Sequence, residues 1–177
     1  MHERQAIREA IVEQLKAGTP SWGTRVFKSR VAPGSGVELP AVIVYAGDET
    51  IDADNTVAAP RELARDFQVF VESFFDVAEG DVVDDKADAL GLQVETAMDA
   101  DLTLDGTAID SSLVRTTAPV MVGDDGLKAS TRLEYLVEYQ TLLRRPAPTD
   151  IFDVAGITTR TGEADAPEVV TDIHQDP

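Results

Sequence analysis

The residues able to do chemistry are numerous but poorly arranged for it. Asp52 and Asp54 begin like a calcium loop, in which carboxylates at alternate positions converge on a cation. That loop also needs glycine at its sixth position and glutamate at its twelfth, where this chain has Val57 and Leu63. The stretch therefore reads as a solvated hairpin loop, and no metal is expected. His2 and His174 stand near opposite ends of the chain, where neither suits a Ser-His-Asp triad or a structural metal site. Gly34-Ser35-Gly36 precedes a strand rather than joining a strand to a helix, so it does not form a phosphate-cradling loop. Carboxylates are so frequent that their proximity says nothing about paired acid–base catalysis. No catalytic residue, cofactor or metal ligand is expected, and the chain reads as a structural or binding protein rather than an enzyme.

The elements that would position such groups are clearer. Leu39-Pro40-Ala41-Val42-Ile43-Val44-Tyr45-Ala46 is a short, β-branched apolar run between Gly36 and Gly47-Asp48. It reads as an interior strand covered on both faces, with Pro40 at its first position. Before it, Ile7, Ala10, Ile11 and Leu15 recur at helical spacing over 3–17, with Gly18 and Pro20 as stop signals. Trp22 suits either a covered core edge or an interface anchor, the former preferred. Thr24–Lys28 is a short strand, and 47–55 an acidic connection.

Residues 61–75 form a long strand with Phe67, Val69 and Val71 on one face and a mixed second face. A second helix over about 82–101 carries Val83, Ala87, Leu90, Val94, Ala97 and Met98 as its core stripe. Asp81, Asp84 and Asp85 crowd its first turn, and Gly91 suggests close packing on the sheet. A turn at Leu104-Asp105-Gly106 leads to a strand over 113–122. Gly123-Asp124-Asp125-Gly126 turns the chain into the clearest strand, where Thr131, Leu133, Tyr135, Val137, Tyr139 and Thr141 alternate with polar residues. The expected fold is α+β: a mainly antiparallel or mixed sheet with two helices packed on it.

Charge is the outlier. The chain of 177 residues has 33 acidic and 15 basic side chains, a formal net charge of −18. Such a surface repels nucleic acid and anionic lipid, and close approach of copies needs screening. Asp-rich, Lys-poor composition hints at a high-salt source or a high-GC mesophile. No apolar run approaches the ~20 residues that span a bilayer. The amino-terminal stretch reads as a charged helix rather than a signal peptide. Cysteine is absent, which excludes disulfides and thiolate chemistry.

Composition changes after Thr141. Domain boundaries are expected at 1–143 for the globular part and 144–177 for an acidic extension, with Arg144-Arg145-Pro146-Ala147-Pro148 as the break. Residues 146–177 contain seven acids and one base, yet Ile151, Phe152, Val154 and Ile157 gather into an apolar cluster. These four are the candidate inter-subunit docking residues. The expectation is that 149–158 docks on another subunit and orders on assembly. A tail folded back on its own subunit is the competing placement.

In this order the chain resembles the tail terminator proteins of long-tailed viruses, the lambda-type minor tail protein U family. The resemblance covers roughly 1–141. It rests on the helix Arg4–Leu15, the Pro40–Tyr45 strand, the Phe67–Val71 strand, a helix of the 83–98 kind, and Asp124-Asp125-Gly126-Leu127 running into Leu133–Tyr139. It implies a homohexameric ring in the virion, assembled in the host cytoplasm. That ring would cap the head-proximal end of the tail tube, stop polymerisation and join the tube protein to a neck or head-completion protein. It implies no reaction, no sequence-specific nucleic-acid binding and no membrane. A head-completion or neck ring protein is the near alternative; a small cytosolic α/β ligand-binding domain is the alternative from another class.

Overall fold

The computed structural model describes residues 2–18, 20–29, 36–52, 62–80, 82–122 and 128–142. Among them the element order is α1 (Glu3–Lys16), β1 (Val26–Lys28), β2 (Ala41–Asp52), β3 (Glu62–Asp76), α2 (Val83–Met98), β4 (Asp110–Val122) and β5 (Lys128–Leu142). The strands make one mixed sheet in the order β1-β2-β3-β5-β4. Only β1 and β2 pair in parallel; the other neighbours are antiparallel. This is the expected α+β fold.

One face of the sheet holds the main core. Phe67, Val69 and Val71 of β3, Val42 and Val44 of β2, and Leu133, Tyr135, Val137 and Tyr139 of β5 are buried there against both helices. The period of two in β5 places its odd-numbered residues inward from Ala129 to Tyr139, as the alternation predicts. α1 contributes Ile7, Ile11, Val12 and Leu15, and α2 contributes Ala87, Leu90, Val94 and Met98. Trp22 is fully buried, and its indole N–H donates to the Leu15 carbonyl at 2.9 Å, closing the end of α1. Of its two readings, the core edge holds. Gln14 clamps the helices together by donating to the carbonyls of Ala97 (2.9 Å), Met98 (2.9 Å) and Asp101 (3.0 Å).

Several expectations are corrected. The apolar run does not end at Gly47-Asp48: β2 continues to Asp52, past an irregularity between Ala46 and Glu49. Part of the expected hairpin loop is thus strand, because β3 is long enough to pair Thr50–Asp52 with Ala64–Asp66. Gly47 belongs to that irregularity. A Cβ there would stand 2.7 Å from the Gln68 Oε1 and 2.9 Å from the Phe70 ring, so only glycine fits unmoved. Coverage of the run on both faces holds for Ala41–Val44, whereas Tyr45 is half-buried and Ala46 exposed. The strand begins one residue after Pro40. Gly91 does not mark close packing, since a Cβ built on it meets nothing within 4 Å. The 123–127 turn and the four residues Ile151, Phe152, Val154 and Ile157 lie outside the described residues.

Candidate functional site: the sheet face away from the helices and the β4 edge

Two carboxylates organise the polar groups of the sheet. Glu72 of β3 is buried on the face away from the main core. Its two oxygens are both occupied: Ser130 Oγ donates to Oε1 at 2.8 Å, while Tyr45 Oη and Arg132 (3.1 Å) donate to Oε2. Arg132 also lies over the rings of Phe70 and Tyr45, at 5.3 and 5.9 Å from their centroids. The sequence folds this way because Ile43↔Glu72 and Glu72↔Arg132 are register partners, which sets β2, β3 and β5 side by side. Burial first, and the Glu72 carboxylate second, raise the pKa of Tyr45 well above the ordinary phenol range.

On the helix-facing side Glu49 is the second anchor. It accepts from Arg65 at 2.7 Å and from the Tyr139 hydroxyl, with Arg4 of α1 at 3.9 Å. Burial, then the bond to Glu49, pushes the Tyr139 phenol up to about 12. Tyr135 is also shifted upward, chiefly by burial and then by the charges of Glu95 and Asp99; its hydroxyl has no hydrogen-bond partner among the described residues. Each carboxylate thus meets one phenol and at least one guanidinium with its oxygens engaged. Neither arrangement frees a base or activates a nucleophile; both fasten strands together.

Of the side chains first considered for chemistry, His2 and Asp52 are described. His2 caps α1, its Nδ1 accepting from the Arg4 N–H at 3.3 Å. Asp52 ends β2 opposite Ala64, and Asp54 and His174 lie outside the described residues. Asp101 accepts from Thr103 and Asp105 within its own turn, which holds its carboxyl below the usual range. Among the described residues no group of three or more His, Asp or Glu side chains is placed to hold a metal.

The surface without an evident structural task is β4. It stands at the end of the sheet order, and most of its residues are exposed. Leu113 (40%), Val114 (57%), Val120 (58%) and Met121 (47%) present large apolar side chains to solvent, with Ile109 exposed just before them. Pairing with β5 is interrupted between Leu113 and Arg115 and between Thr117 and Val120, the second break containing Pro119. Sequence reasoning recognised this strand but did not see its position at the edge. The alternation of a strand does not reveal what lies beside it. The available signal was the combination of Pro119 with a run lacking clean period-two alternation, both features of edges.

No protein-family model matches the sequence, and no curated protein sequence matches it. Among solved structures, a chain from the virion of a native gene transfer agent particle is similar over 78% of this chain and 97% of its own, with 17% identity and a TM-score of 0.42. A chain from the sheath/tube terminator of the PVC extracellular contractile injection system, in its extended state, is similar over 91% of this chain and 65% of its own, with 12% identity and a TM-score of 0.47.

Proposed function

We propose that the chain is a non-enzymatic structural subunit of a viral tail, of the tail-terminator kind. Six copies would form a ring at the head-proximal end of the tube, ending its growth and joining it to the neck. The observation that carries an assembling role is the β4 edge: a long terminal strand exposing Leu113, Val114, Val120 and Met121 on a protein of net charge −18. An apolar strand edge on so highly charged a chain suits a contact surface. The tail-specific part rests on the resemblance carried by Pro40–Tyr45, Phe67–Val71 and Leu133–Tyr139, which apart from Pro40 lie in β2, β3 and β5. Because those residues are in the sheet rather than in contact loops, the resemblance leaves the tube-facing and neck-facing residues unassigned.

Ring formation is tested by sizing and negative-stain microscopy across a salt series. Six copies of charge −18 repel strongly at low ionic strength. Assembly should therefore be favoured near ~1 M monovalent salt, where the Debye length is about 3 Å, or by millimolar divalent cation. Rings that persist unchanged in chelator at low ionic strength would refute the salt dependence. A monomer under every condition would refute the ring.

A further inference from the structure

We infer that the outer edge of β4 is an acceptor for the segment Ile151–Ile157 of a second copy of this chain, added as a further strand beside the Asp110–Thr117 half. This deepens the ring reading and rests on it. The acceptor side is visible in the fold. β4 is the terminal strand, so one row of its backbone N–H and C=O groups has no strand partner among the described residues. Ile109, Leu113 and Val114 stay exposed there in the single subunit. Pro119 and the break between Thr117 and Val120 interrupt the far half, while the near half pairs with β5 from Asp110 to Leu113 and again from Arg115 to Thr117, with Val114 at the irregularity between them.

The donor side is legible from the chain's exit and its sequence. β5 ends at Leu142, itself exposed, and Glu138 pairs with Asp110, so the last described residue of β5 and the start of β4 lie at the same end of the sheet. The Pro146-Ala147-Pro148 spacer favours an extended course, at about 3.1 Å per residue. Beyond it Ile151, Phe152, Val154 and Ile157 supply apolar side chains for both faces of an added strand. Electrostatics favour this pairing over contacts elsewhere. β4 carries one acid, Asp110, and one base, Arg115, while the donor carries only Asp153, on a chain otherwise strongly negative. The contact is heterologous, since arm and edge are different surfaces, and a heterologous contact passed from copy to copy generates a ring when its rotation closes.

The absence of cysteine makes a direct test clean. Full-length Val114→Cys and Val154→Cys proteins, one bearing a mass tag, are mixed under assembly conditions and oxidised. The expected result is a mixed disulfide at least ten-fold more abundant than with Leu92→Cys, an exposed site on α2, as the partner. Equal linkage to Leu92→Cys overturns the inference. So does a Val114→Cys/Val154→Cys double variant that closes within one chain while sizing reports a monomer, because the segment then docks on its own subunit. Rings without the mixed disulfide overturn the arm exchange and leave the ring intact; no assembly under any salt overturns both.

Discussion

Replacing Glu72 tests whether the polar cluster on the face away from the helices is a structural fastener. Glu72→Ala removes the acceptor for Ser130 Oγ and for Tyr45, and leaves both hydroxyls facing a buried gap. Hydrogen bonds to charged groups contribute about 1.5–3 kcal/mol each, though the two share one carboxylate and are not independent. The Arg132 side chain is 47% exposed, so water recovers most of what it loses, and the ion pair itself adds at most about 1 kcal/mol. The net cost should be about 3 kcal/mol. For a chain of this length that corresponds to a fall in Tm of roughly 6–12 °C. Glu72→Gln keeps one acceptor oxygen and should cost about half as much. Urea denaturation of both variants beside the parent gives the numbers directly, provided the slopes agree. A Glu72→Ala protein within about 0.5 kcal/mol of the parent would show that the cluster is ornamental and the strands hold by apolar packing alone.

Alkaline titration probes all three tyrosines of the chain at once, since Tyr45, Tyr135 and Tyr139 are each shifted upward. A raised native pKa stabilises the fold below the unfolded value near 10 and loses that contribution as pH climbs through the native value. Phenolate absorbance at about 295 nm should therefore stay flat near pH 10 and rise with unfolding toward about 12; a phenol titrating near 10 in the folded protein would contradict the burial argument. Gly91→Ala, with open space around the new Cβ, should raise stability by up to ~1 kcal/mol, whereas Gly47→Ala should lower it by about as much or more. Thermal melts showing the opposite order would overturn the reading of both sites. Ile43→Asp puts an unpaired charge at a fully buried position and should cost several kcal/mol, read as loss of soluble, cooperatively melting protein. A chain ended after Leu142 should keep its far-ultraviolet spectrum and cooperative melting but assemble at least ten-fold less well, measured by light scattering.

What the sequence made legible is what a one-dimensional pattern can encode. β5 was readable because period-two alternation and burial on one face are the same fact, and Thr131 through Tyr139 turn inward as written. α1 and α2 followed from apolar stripes at helical spacing. Glu72 was not readable as a site. In the sequence it is one polar residue on the mixed face of β3, and its meaning comes from Tyr45, Ser130 and Arg132, which the register brings to it from β2 and β5. The same holds for Gly47, whose need for space is set by Gln68 and Phe70 on a neighbouring strand. β4 is the most consequential case. Its order in the chain places it before β5, but its position at the rim follows only from β3 pairing with β5 along its whole length. That pairing closes one side of β5, leaves β4 to take the other, and so exposes Leu113 and Val114. The surface on which assembly would depend is thus a product of strand order, a property that no single strand carries.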